Sequence, residues 1–152
     1  MLNRRKTREL ALQLLFVWDA HGGDVDEQML QQLTHEASDD PMIRQQAMEM
    51  ARSAWQNRQL ADQWVERLAP QWPPRRQPGV DRCILRLAIW ELTHTHTPPK
   101  VVIDEAIELA KRFSTENSPA FVNGVLDAVL KEHRNLTEGT EARRHEGTKG
   151  PQ

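Results

Sequence analysis

The sequence predicts an all-α protein, with three helices on either side of a proline-rich break. Strand signals are weak: the chain has no Tyr and only three Phe, and no stretch alternates apolar and polar residues for long. Helical spacing recurs instead, and ten residues holding four prolines and a glycine, Pro70 to Gly79, divide it.

In the first segment Ala11, Leu14, Leu15 and Trp18 fall at i, i+3, i+4 and i+7, one apolar stripe ending near His21-Gly22-Gly23. A short second helix is expected over Val25 to Glu36, burying Met29, Leu30 and Leu33. Asp39-Asp40-Pro41 starts a third, a capping carboxylate before a first-turn proline. That helix is expected to run to about Leu68, through Met48, Ala51, Trp55, Leu60 and Trp64. Beyond the break, CILRLAIWEL (83 to 92) is apolar nearly all round, broken by Arg86 and Glu91, which places it at the centre of a bundle. VVIDEAIELAKRF (101 to 113) carries Val102, Ala106, Leu109 and Phe113 on one stripe. Ser118-Pro119 opens the last helix, with Val122, Val125, Leu126 and Val129 on its buried face. Gly124 within it costs about 1 kcal/mol against alanine, which predicts close approach of another helix. Residues 1–134 therefore read as one helical domain, made of a first half 1–69, a linker 70–79 and a second half 80–134. Residues 135–152, without periodicity, read as a disordered tail.

No apolar run approaches the roughly 20 residues that cross a bilayer, the first ten residues lack a signal-peptide core, and the single Cys83 suits a reducing compartment. A cytoplasmic protein is expected. The net charge of −2 conceals a segregation. Arg4, Arg5, Lys6 and Arg8 cluster at the start, whereas residues 19 to 49 are strongly acidic. Attraction of a polyanion is local, being screened beyond roughly 10 Å, so the average does not exclude a nucleic acid.

On the first helix, with Arg4 at zero, Arg8, Leu12, Arg5 and Phe16 lie at about 40°, 80°, 100° and 120°. The core stripe is centred near about 320°. A cationic patch ending in an aromatic ring is thus expected beside the buried stripe. Arginines hold phosphates in bidentate fashion and an exposed ring stacks an unpaired base, the usual grip on single-stranded RNA. A basic first turn also reads as nothing more than a solvated helix end. The second feature is Phe113 and Phe121 with Asn117 between them, at a helix–helix corner. Two such rings either close the core, or one faces out beside the arginines with Asn117 offered to a base edge.

RRKTRELALQLLFVWD (4 to 19), VDRCILRLAIWEL (80 to 92) and PPKVVIDEAIELAKRFSTENSPAFVNGVLDAVL (98 to 130) resemble three blocks of the NusB family. The last, DEAIELAKRF followed closely by FVNGVLD, is very specific to it. The resemblance implies two three-helix bundles packed across each other, and a transcription antitermination factor. It implies binding of boxA-type RNA in nascent ribosomal RNA, together with the small ribosomal protein NusE, other Nus factors and RNA polymerase. By position it implies RNA contacts at Arg4, Arg5, Lys6, Arg8, Phe16, Phe113, Asn117 and Phe121, and an exposed acidic contact to NusE at Asp81. Phe16 stands where many members have tyrosine, keeping the ring without the hydroxyl. Asn117 stands where aspartate is common, which removes a negative charge beside RNA.

An enzyme would need convergent reactive groups. His94 and His96 alternate in a Thr-rich connection without a third ligand at metal spacing, Cys83 reads as a buried hydrophobe, and Glu108 with Lys111 and Arg112 reads as helix-surface ion pairs. A binding protein without cofactor or metal is therefore expected. Alternatives are a helical protein-interaction module without RNA specificity, or a stand-alone relative of the RNA-binding domain of ribosomal-RNA methyltransferases.

Overall fold

The computed structural model describes residues 4–148, and side chains through residue 139. Its α-helices are α1 (Arg4–Ala20), α2 (Glu27–Ala37), α3 (Pro41–Gln56), α4 (Arg58–Leu68), α5 (Gly79–His94), α6 (Pro99–Phe113) and α7 (Ser118–Thr148). No strand occurs among the described residues.

Local chemistry sets most boundaries. Helix α1 stops where Gly22 and Gly23 take positive φ, and the Gly23 amide donates to the Trp18 carbonyl at 2.8 Å. A side chain at Gly23 would also press on the Trp55 ring, at 3.1 Å. Asp26 caps α2 by accepting from the Gln28 amide. Asp40 caps α3 in the same way, accepting from Met42 at 2.9 Å with Pro41 behind it.

One expected helix proves to be two. The stretch from Pro41 breaks at Asn57, whose side-chain amide donates to the Ser53 carbonyl at 2.8 Å. An Asn that bonds its own preceding turn competes with the helix ladder. The break lets α4 leave α3 and pack on α5 and α7. The second helix buries Leu30 but leaves Met29 exposed, contrary to expectation, because only a narrow edge of α2 meets α1.

Helices α1 and α3 pair closely, α6 and α7 likewise, and α5 touches all of α1, α3, α4, α6 and α7. The near-continuous apolar surface of α5 is thereby explained: Cys83, Ile84, Leu85, Leu87 and Ile89 are all buried. Burial pushes the Cys83 thiol up to about 12, so it acts as a small hydrophobe. Gly124 is exposed, and an added Cβ would meet nothing within 4 Å. The close helix approach expected there does not occur. Helix α7 continues past Arg134, and residues 135–139 are all exposed, so the described side chains leave the core where the periodicity ends.

The break after α4 is a short 3-10 turn, Pro74–Arg76, held from α5. Arg82 donates to the Pro74 carbonyl at 2.8 Å and pairs with Asp19. Arg86 bridges Asp19 (2.9 Å) and Asp62 (2.8 Å). Four charges thus tie α1, α4, α5 and the linker. Burial pushes the Asp19 carboxyl up, but the hydrogen bonds and charges of Arg82 and Arg86 outweigh it and hold the carboxyl below its ordinary value. A depressed carboxyl stabilises the fold above its unfolded value, near about 4, and that stability is lost as pH falls through the folded value. Asp19→Asn is expected to lower stability at pH 7 while flattening the loss below about pH 4. Urea midpoints at pH 7 and below that value test this, and parallel pH curves for both proteins would refute it.

Candidate nucleic-acid interface

The expected patch on α1 is divided by the packing. Helix α1 is covered by α3 on one side and α5 on the other, so its buried arc extends from Leu10 through Ala11 to Leu12. Arg8 lies inside that arc, 3% exposed. Its Nε and Nη2 donate to the two Glu91 carboxylate oxygens at 3.0 and 2.7 Å. It is therefore a buried structural cation, and the expectation of a phosphate contact there is corrected. Arg4 and Lys6 are exposed but on other faces. Arg4 lines a cavity with Trp90 and His96, and Lys6 lines another with Glu36, Asp39 and Asp40.

Arg5 is the α1 cation that pairs with α6. It donates to both oxygens of Glu105 on α6, at 3.2 and 2.9 Å. That hydrogen bond holds the Glu105 carboxyl below its usual range, against a smaller effect of burial. One turn on, Glu9 of α1 pairs with Arg112 of α6. Arg112 was expected to pair within its own helix; Lys111 does so, with Glu108 at 3.5 Å, but Arg112 reaches across. Its guanidinium also lies 5.2 Å from the centre of the Phe113 ring.

Beyond these ion pairs the α1–α6 surface opens into an apolar groove of about 360 Å³, lined by Leu12, Phe16, Val17, Leu33, Val80 and Phe113. Phe16 is 44% and Phe113 37% exposed, whereas Trp18 is buried in the core beside Trp55, ring centres 6.2 Å apart. Of the two corner rings, then, Phe113 faces out and Phe121 packs partly against the core. Asn117 is exposed on the turn between α6 and α7.

That turn is held from below by Asp81, and here a second expectation is corrected. The carboxylate is not free at the surface; Asp81 is 4% exposed. It accepts from the Ser114 hydroxyl and, at 2.8 Å, from the Ser118 hydroxyl. Its neighbour Val80 lines the groove, so the same turn of α5 supports both the Phe16–Phe113 floor and the Asn117 corner.

The structure therefore brings Phe16 and Phe113 together in one groove beside the turn that carries Asn117. It places Arg5 in a separate α1–α6 cavity with Lys111 and Arg112, two cations that helical spacing assigns only to surface ion pairs. A basic pair ending a helix beside an exposed ring was the available signal. Chemically the surface offers stacking faces and guanidinium donors. A guanidinium has five N–H groups and a carboxylate engages two, so exposed Arg5 retains donors for a phosphate. His94 and His96 are exposed, and His94 Nδ1 lies 2.7 Å from the Thr93 hydroxyl. Among the described residues no group of three His, Cys, Asp or Glu stands where it could hold a metal, and no helix is long and apolar enough to cross a membrane.

Fold and surface define an all-helical protein of two bundles crossed at a central helix, with an aromatic and cationic groove along one seam. The pattern of the NusB family matches residues 5–131. The transcription antitermination protein NusB of Symbiobacterium thermophilum is 40% identical over 149 residues, spanning 93% of this chain and 97% of the relative. The structure of T. maritima NusB superposes with a TM-score of 0.75 at 37% identity, over 87% of this chain and 93% of that one. A crystal structure of antitermination factors NusB and NusE in complex with double-stranded RNA superposes at 0.75 and 25% identity, over 85% and 96%. The chain belongs to the NusB family.

Proposed function

We propose that this chain is a transcription antitermination factor that binds boxA-type RNA of nascent ribosomal transcripts together with NusE, within an assembly of other Nus factors and RNA polymerase. The observation that carries the RNA reading is the pair of exposed rings, Phe16 and Phe113, across an apolar groove, with Arg112 5.2 Å from the Phe113 ring and Arg5 sharing a separate α1–α6 cavity with Arg112. Unstacked bases lie on the rings and the guanidiniums take phosphates, as single strands are held elsewhere. Asn117 offers a base edge an amide at the groove's end, Phe121 backs that corner from the core side, and Lys111 adds a cation. Arg4 and Lys6 contribute to the local field from neighbouring faces, within a screening length of roughly 10 Å. The relatives' antitermination role and the neighbour that contains NusE with double-stranded RNA support the antitermination and RNA-binding parts of this reading.

The test pairs stability with affinity. Phe16→Ala and Phe113→Ala are expected to cost little stability but about 1–3 kcal/mol of RNA binding per lost stack. Trp18→Ala is expected to cost about 3–5 kcal/mol of stability. Arg5→Ala should lower the salt slope of log affinity by about 0.7 for single-stranded RNA. Urea unfolding and filter binding with boxA-type and scrambled RNA read these out. Equal binding by wild type and the two Phe variants would remove the groove as the RNA site.

A further inference from the structure

The linker between α4 and α5 carries a surface that the fold does not use. Of the five tryptophans, Trp18 and Trp55 stack together, Arg58 lies 4.1 Å from the Trp55 ring centre, and Arg67 lies 4.7 Å from that of Trp64. Trp90 is half-buried against the core. Trp72 alone is bare, 60% exposed and without a ring or cation partner among the described residues. Arg75 and Arg76, three and four residues on, are exposed and make no ion pair among the described residues, in contrast to Arg82.

This surface stands on a braced turn. The Trp72 amide donates to the Ala69 carbonyl at 2.9 Å, and Gln77 Nε2 donates to the Trp72 carbonyl at 2.9 Å. Arg82 holds the Pro74 carbonyl, and Pro73 and Pro74 are buried. The backbone that carries the ring and the two guanidiniums is fixed in this way, so binding has only their side chains to order. The turn also adjoins the groove. Gly79 packs on Phe16 so closely that an added Cβ would stand 3.2 Å from the ring. Arg76 precedes Gly79 by three residues, within about 11 Å along the chain.

We infer that the linker is a second contact for the same single-stranded RNA, a base stacking on Trp72 while adjacent phosphates lie on Arg75 and Arg76. The inference rests on the RNA reading of the groove and extends its path over the first turn of α5. A bare indole flanked by two unpaired guanidiniums fits a polyanion with π-faces better than an acidic protein surface, which would engage the arginines and leave the ring idle.

The experiment compares a short boxA-type oligonucleotide of about 8 nucleotides with the same sequence extended by about 6 uridines at each end. Both are titrated by fluorescence anisotropy against the full chain and a variant combining Trp72→Ala, Arg75→Ala and Arg76→Ala. The wild type is expected to bind the extended RNA at least about tenfold more tightly than the short one, and the variant to lose that gain. The variant should keep the short-RNA affinity, and its salt slope on the extended RNA should fall by about 1.4. Arg75→Gln with Arg76→Gln, which spares the ring and the proline turn, should show the same slope change. Equal wild-type affinity for both RNAs, or a variant that retains the gain, overturns the inference while the groove reading stands. Failure of the wild type to bind either RNA overturns both. A variant with unchanged RNA affinities that no longer binds NusE overturns it as well, and assigns the patch to protein.

Discussion

Arg8→Ala is expected to lower stability by about 3–5 kcal/mol, because it strands the Glu91 carboxylate inside the protein. The pair joins α1 to α5 through two parallel hydrogen bonds, with both side chains almost wholly buried. Desolvation makes such a pair a weak net stabiliser, but deleting one partner leaves the other charge without compensation. At roughly 2–4 °C per kcal/mol for a domain of this size, the thermal midpoint should drop by on the order of 10 °C. Replacing both residues, Arg8→Met with Glu91→Leu, should recover most of the loss. The same experiment separates structure from binding. Where the double variant folds, its salt slope for RNA should equal that of the wild type, whereas Arg5→Ala lowers it. A double variant that is folded yet shows a reduced slope would return Arg8 to the RNA site.

Why Arg8 and Arg5 part company shows what local pattern conveys. Helical periodicity identifies which residues begin a buried stripe, and Leu14, Leu15 and Trp18 were legible from spacing alone. The width of the stripe depends on how many neighbours a helix has. Helix α1 has two large ones, so burial extends around to Leu12 and takes Arg8 with it. The carboxylate that makes this tolerable, Glu91, is 83 residues away, and nothing in the first helix announces it. Phe16 lies just outside that buried arc, as its helical angle places it, whereas Phe113, at the end of the α6 stripe, turns outward. The seven-helix count was missed for a local reason, since Asn57 sits within a plausible helical run and ends it through one side-chain bond. Spacing along α6 assigns Lys111 to Glu108 correctly but misplaces Arg112, because it cannot see Glu9 on another helix.

The largest reversal of expectation concerns Asp81. A carboxylate in the first turn of a helix is usually solvated and favourable to the dipole, and a charge reversal there costs little. In this fold the corner between α6 and α7 closes over it, so that Ser114 and Ser118, 33 and 37 residues later, both donate to it. Asp81→Arg would place a cation where two hydroxyls need an acceptor, with Arg82 next in sequence. An unpaired buried charge costs several kcal/mol, and each orphaned hydroxyl adds about 1–3 kcal/mol. The variant is expected to lose at least about 4 kcal/mol and to loosen the corner that carries Asn117 and backs Phe113. Asp81→Asn retains one acceptor oxygen and should cost less, about 1–2 kcal/mol. Any loss of NusE binding in Asp81→Arg would then follow from a displaced corner, and RNA binding should weaken with it. Thermal melts, RNA titration and NusE pull-down on both variants decide the matter. A stable Asp81→Arg protein that binds RNA normally and fails only with NusE would mean that the carboxylate is exposed to the partner after all.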